Sequence, residues 1–162
     1  MQIARFQQFV IDTIRAHPAD VITSVESFAA AGITDKPIGA RIAFTTGAQL
    51  LVQMVGTAPS GGRAAAEQIV EGPAPDPLPP VPLVADGERI RLADVQAWLI
   101  ATLTNTGHTE IAAITPTTGQ AHRYGLSVRC HSGATCVAYF LAGLRPGQRL
   151  GAHADYQVPE VI

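Results

Sequence analysis

The sequence predicts an α+β fold built from one unit written twice. Two segments, Ile3–Ile14 and Leu92–Leu103, carry large apolar residues at spacings of three and four, and they stand 89 positions apart. A pair of β-rich runs follows each, meeting at Thr46-Gly47 in the first case and at Ser132-Gly133 in the second. Between the two units lies Gly72–Pro82, with six prolines. Together these predict an internal duplication of a helix–strand–strand–strand unit with pseudo-two-fold symmetry, each β-hairpin covered by one helix. The boundaries read as 1–60 for the first unit, 61–88 for a short helix plus spacer, 89–148 for the second unit and 149–162 for a tail.

Each element has its own reason. In Ile3–Ile14 the residues Ile3, Phe6, Phe9, Val10 and Ile14 form one apolar stripe; Leu92, Val95, Trp98, Leu99 and Leu103 match them. Pro18 ends the first helix, because the residue before a proline avoids the helical region. Asn105 and Gly107 end the second, both being suited to a left-handed cap. Short strands follow near Val21–Val25 and Ile111–Ile114. The offset then drops to 86, and Gly39, Gly47 and Ala48 meet Gly125, Gly133 and Ala134. A small polar residue followed by glycine predicts a two-residue hairpin turn. Arg63–Val70 reads as a short helix, and Gly72–Pro82 as an extended, semi-rigid spacer.

Composition narrows the function classes. The chain has 162 residues, 47% apolar and 15% charged, with net charge −2. That suits a packed domain that needs neither metal nor disulfide to fold. Its ten arginines are scattered singly and Lys36 is its only lysine, so no basic cluster exists to bind nucleic acid by counterion release. No apolar run approaches the roughly 20 residues that span a bilayer, and Gln2, Gln7 and Gln8 interrupt any signal-like segment. The expectation is a soluble protein, cytoplasmic when made, with protein partners and neither nucleic acid nor membrane.

The stretch VRCHSGATCVAY, Val128–Tyr139, brings Cys130, His131 and Cys136 close together in sequence. A two-residue turn at Ser132-Gly133 pairs His131 with Ala134, Cys130 with Thr135 and Arg129 with Cys136. Cys130 then shares a face with Val128, Thr135 and Val137, while Cys136 points the other way with Arg129, His131 and Ala134. In that register the thiols can neither reach the ~3.5–4.5 Å Cβ separation of a disulfide nor share one metal ion. The first unit holds Phe44, Thr45 and Leu50 at the matching positions, so the cysteines read as apolar fillers.

No other pattern points to catalysis. His17, His108, His122 and His153 lack zinc-ligand spacing, and His17 and His108 fall near helix ends, where a histidine meets the last carbonyls. Ser132 lies outside any G-x-S-x-G setting, and Gly61-Gly62 has no Gly-Lys-Ser sequel. The prediction is a non-enzymatic protein without catalytic, metal-ligating or cofactor-binding residues. The strands Gln49–Val55 and Ala134–Leu141 are apolar on both faces and ask for cover on both sides, one from the unit's helix and the other from the second unit or another subunit. A duplicated unit also suits quasi-symmetric packing, so a homo-oligomer is expected. The alternative is a small-ligand-binding domain or enzyme with its pocket between the two units, for which His122, Arg123, Arg129 and His131 are the candidate ligand residues.

The high Ala/Gly/Arg/Pro usage, almost free of lysine, and the paired motif G-x-x-h-x-x-x-[ST]-G-A at Gly39–Ala48 and Gly125–Ala134 resemble short proteins of GC-rich actinobacterial genomes and their phages. The resemblance implies a structural subunit of a virion, from the head–tail or tail apparatus, associated with the particle once assembled.

Overall fold

The computed structural model describes residues 1–36, 38–57, 67–117, 123–149 and 158–162. The elements run α1 (Ile3–Ala16), β1 (Ile22–Ser27), β2 (Gly39–Phe44), β3 (Gln49–Thr57), α2 (Leu92–Thr104), β4 (Ile111–Pro116), β5 (Gly125–Cys130) and β6 (Thr135–Leu144). All six strands join one antiparallel sheet in the order β1-β2-β3-β6-β5-β4. The two hairpins therefore meet at the centre, where β3 and β6 pair from Gln49↔Leu144 to Thr57↔Thr135.

Both helices pack on one face of this sheet. α1 buries Phe6, Val10, Ile11 and Ile14 against Val25, Ile42, Leu50 and Met54. It ends where sequence places its end: His17, before Pro18, leaves the helical region at φ −133° and ψ 58°. α2 buries residues around its whole circumference, including Leu92, Val95, Trp98, Leu99, Ala101 and Leu103. The sheet covers one side of α2, and the proline-rich segment covers another. Leu83 of that segment is 5% exposed within the main core, with Val81 and Ala85 packed beside it.

The segment is thus a strap, pinned along its length. Gly72 donates its N–H to the Thr109 carbonyl at 2.9 Å. Further on, the Asn105 side chain accepts from the Leu78 N–H at 2.7 Å and donates to its carbonyl at 2.9 Å. Asn105 stays right-handed, φ −72°, so of the two residues expected to cap α2 in the left-handed region only Gly107, φ 64°, does so. The amide of Asn105 is instead spent on the strap. Residues 67–70 are not helical; the other residues of the helix expected over Arg63–Val70 lie outside the described ones. The strap ends where Ile90 and Ile162 exchange both backbone hydrogen bonds, at 2.7 and 3.0 Å.

The hairpin turns correct the expected register. Each loop has three residues, not two: Phe44 N–H donates to the Ala48 carbonyl at 3.0 Å, and Cys130 N–H to that of Ala134 at 2.9 Å. Gly47 at φ 83° and Gly133 at φ 81° occupy the last loop position, the left-handed residue that a three-residue hairpin requires. The first glycine of each motif has a different reason. A Cβ on Gly39 would stand 2.4 Å from the Val52 carbonyl oxygen, and one on Gly125 2.6 Å from that of Ala138. Both motif glycines therefore serve backbone geometry.

Among the described residues, the sheet face away from the helices carries a second, smaller core of Phe28, Leu51, Leu141 and Ala142, with Ile33 and Tyr139 beside it. Phe28 and Ile33 come from the β1–β2 connection, so the first unit covers part of that face with its own loop. Elsewhere on it Val55 is 40% exposed, and Ser127, Thr135 and Val137 are half-buried. No described helix is long and apolar enough to cross a membrane.

Candidate functional site

The three-residue loop moves β6 by one position against β5. Val128 pairs with Cys136 and Arg129 with Thr135, so the alternation places Leu126, Val128, Cys130, Cys136 and Ala138 on the helix side. The expected arrangement, with the two cysteines on opposite faces, is overturned. Thr135 and Val137 join Ser127 and Arg129 on the outer face, and the thiols share the inner one. Cys130 and Cys136 are 3% and 1% exposed, free, and neighbours on that face. They take the places that Phe44 and Leu50 fill in the first hairpin. The adjacent Cys136 thiol draws the Cys130 thiol down to about 6, while the proximity of Cys130 and burial push Cys136 up. Cys130 is the thiol that ionises first.

A polar network adjoins the thiols. Cys136 Sγ lies 3.7 Å from the Met1 carbonyl oxygen. The Met1 backbone nitrogen is 3.8 Å from both Glu67 and Glu110. Arg5 bridges the same carboxylates, at 2.5 Å to Glu110 and 2.7 Å to Glu67. Glu110 is 4% exposed and follows the turn after α2, where its N–H donates to His108 Nδ1 at 3.2 Å. The His108 ring stands edge-on to Phe9 at 5.0 Å, so it braces α1 rather than meeting the carbonyls that end α2. The Glu110 and Glu67 carboxylates hold the Arg5 guanidinium above its ordinary range. Nothing in the periodicity of the chain pairs Arg5 with Glu110, 105 positions on. Among the described residues no three of His, Cys, Asp and Glu converge as metal ligands.

The four candidate ligand residues do not form one site. His122 lies outside the described residues. Arg123 is an ion-pair partner of Glu160, with its guanidinium 5.5 Å from the Tyr124 ring centroid. It is six positions before Arg129 along an extended segment, about 20 Å away. Arg129 and His131 do come together. They border a cleft of about 540 Å³ whose other walls are strap residues 73–78 and Ala112, Ala113 and Ile114 of β4. This cleft lies between the strap and the second hairpin, not between the two units. His131 closes one end of it: Nε2 is 3.0 Å from the Pro73 carbonyl oxygen, and the ring lies so close on Gly72 that a Cβ there would be 2.6 Å away. Arg129 makes no ion pair or hydrogen bond among the described residues.

In comparisons with known proteins, no family model, curated protein or solved structure matches the chain.

Proposed function

We propose that the chain is a non-enzymatic assembly protein, a fused pair of αβββ units that associates with further copies of itself through its outer sheet face. The observation that carries this reading is the one-sided cover of the sheet. The helices and strap serve one face, Phe28 and Ile33 cover part of the other, and Val55, Val137, Ser127 and Thr135 remain a partly exposed surface of small and β-branched residues on the rest, with Arg129 at its border. Sheets pack stably through such faces.

The internal duplication underlies the reading, and paired hydrogen bonds support it. Gln7 Nε2 donates to the Gly39 carbonyl at 2.7 Å, and Gln96 Nε2 to that of Gly125 at 2.6 Å. Met54 N–H reaches Ile38 and Phe140 N–H reaches Tyr124, at 3.1 and 3.0 Å. Register breaks fall between Ile22 and Ser24 in β1, and between Ile111 and Ala113 in β4, again 89 positions apart. A fused pair joined through β3 and β6 resembles a dimer that has become one chain, and such a chain is suited to rings or layers. Composition and the paired glycine motif favour a virion subunit as the biological form.

Light scattering on a size-exclusion column tests the proposal. The expected result is a discrete homo-oligomer that Val55→Asp together with Val137→Asp dissociates without loss of helical circular dichroism. A monomer at every concentration, or an oligomer indifferent to both substitutions, overturns it.

A further inference from the structure

The cleft between the strap and the second hairpin has the chemistry of a small zwitterion site. Its walls are apolar, with Pro73, Pro75, Leu78 and Ile114, and it holds one positive and one negative side chain, Arg129 and Asp76. Neither makes an ion pair or hydrogen bond among the described residues. The third observation is independent of charge: Thr104, at the end of α2, borders the cleft, is 5% exposed, and its hydroxyl has no hydrogen-bond partner among the described residues. A buried hydroxyl left unsatisfied costs free energy that a ligand donor or acceptor can recover. Few polar groups set in an apolar concavity of several hundred cubic ångströms are what small-molecule sites present.

We infer that this cleft binds an apolar α-amino acid, its carboxylate on Arg129, its ammonium toward Asp76 and the Thr104 hydroxyl, and its side chain against the prolines, Leu78 and Ile114. An anion alone would meet the Asp76 charge, and a cation alone the Arg129 charge; a zwitterion answers both. The wall is set in advance, because His131 clasps Pro73 and only a glycine at position 72 lets the imidazole lie on the strap.

The test is an NMR titration of the full chain with leucine, 4-methylpentanoate and isopentylamine, which share a branched aliphatic body but carry both charges, the carboxylate alone and the ammonium alone. The expected result is saturable leucine shifts at Ile114, Arg129 and Leu78, with each analogue at least about tenfold weaker, as loss of a charge-assisted hydrogen bond implies. Arg129→Gln should weaken leucine by a similar factor but not isopentylamine, which is relieved of a like charge; Asp76→Asn should weaken leucine but not 4-methylpentanoate, for the same reason. Both residues are exposed, and an unchanged amide spectrum elsewhere will show that the variants fold. Absence of leucine shifts at millimolar concentration, or equal binding of all three compounds, overturns the inference. Binding of leucine that survives both substitutions overturns it as well.

Discussion

Cys130 and Cys136 face the same way from neighbouring strands, because Cys130 closes its hairpin against Ala134 and Cys136 stands two positions further along β6. The two neighbouring thiols form one ionising unit, in which Cys130 is the thiol that loses its proton. Thiolate absorbance at 240 nm should therefore grow in the folded protein well below the ordinary thiol range of about 8.5. Cys136→Ala removes the neighbouring thiol, and the Cys130 ionisation should move upward. A wild-type curve that rises only above about pH 8.5 would sink this account of the pair.

Arg5 is the main protein cation answering Glu110, whose side chain is 6% exposed against 41% for the arginine. Removing one partner of a buried ion pair strands the other, which costs ~3–5 kcal/mol when both are deep. Since Arg5 is two-fifths exposed and screened by water, Arg5→Ala should cost about 1–3 kcal/mol in urea unfolding. Arg5→Ala combined with Glu110→Gln should recover part of that loss. If the double variant is less stable than Arg5→Ala alone, the carboxylate is not the source of the cost.

Glu67 gives the pH dependence. Partial burial pushes its carboxyl up, but the Gln2 N–H at 2.5 Å and the Arg5 guanidinium at 2.7 Å together outweigh this and hold it below its ordinary value of 4.5. A carboxyl depressed in the folded state contributes stability that is present above its unfolded value and lost as pH falls through the folded one. The melting temperature should therefore decline below about pH 4.5, and less steeply in Glu67→Gln. Parallel profiles for the two proteins would remove Glu67 from the acid response.

What the sequence revealed followed the range over which each signal acts. The stripes of α1 and α2 and the stop at Pro18 are local, and both helices stand where the spacing puts them. The turn positions were legible at Gly47 and Gly133, but the loop length was not. A Thr-Gly or Ser-Gly pair fits a two-residue turn as well as the end of a three-residue loop, and the difference of one residue reverses a whole strand face. The same slip hid the thiol pair. Arg5, Glu67 and Glu110 meet only after the sheet and strap have closed, so no window of sequence contains them. Arg129 and His131 were legible as chemistry-bearing neighbours; that the strap would form their opposite wall was not, because proline-rich chain carries no signal for where it docks.

The two turn glycines offer a paired measurement. Gly47 and Gly133 have the same positive φ within two degrees, and each donates its N–H to the residue that opens the loop, Phe44 or Cys130, at 2.9 and 3.0 Å. An L-residue in that conformation costs ~1–2 kcal/mol. Gly47→Ala and Gly133→Ala should each destabilise by about that amount, and asparagine by less, since it tolerates the left-handed region. Near-neutral alanine variants at both positions would mean that the loops relax to another turn type.

The strap is the element whose role differs most from its composition, and Leu83 decides it. A tether between two units tolerates substitution, because its job is only to span a distance. A strap that completes the core does not. Leu83 is 5% exposed and Ile90 fully buried, and both belong to one core with Leu92, Val95 and Leu99 of α2. Leu83→Ala should therefore lower the unfolding free energy by ~2–3 kcal/mol, toward the lower part of the range for buried leucines, because an extended segment can partly close over the gap. Val84→Ala, one position on, changes a side chain that is 64% exposed and should change stability by less than about 0.5 kcal/mol. The contrast between adjacent positions is the measurement. If both substitutions are silent, the strap is only a tether and α2 owes its cover to something else. If Leu83→Ala alone is costly, the proline-rich segment is part of the hydrophobic core.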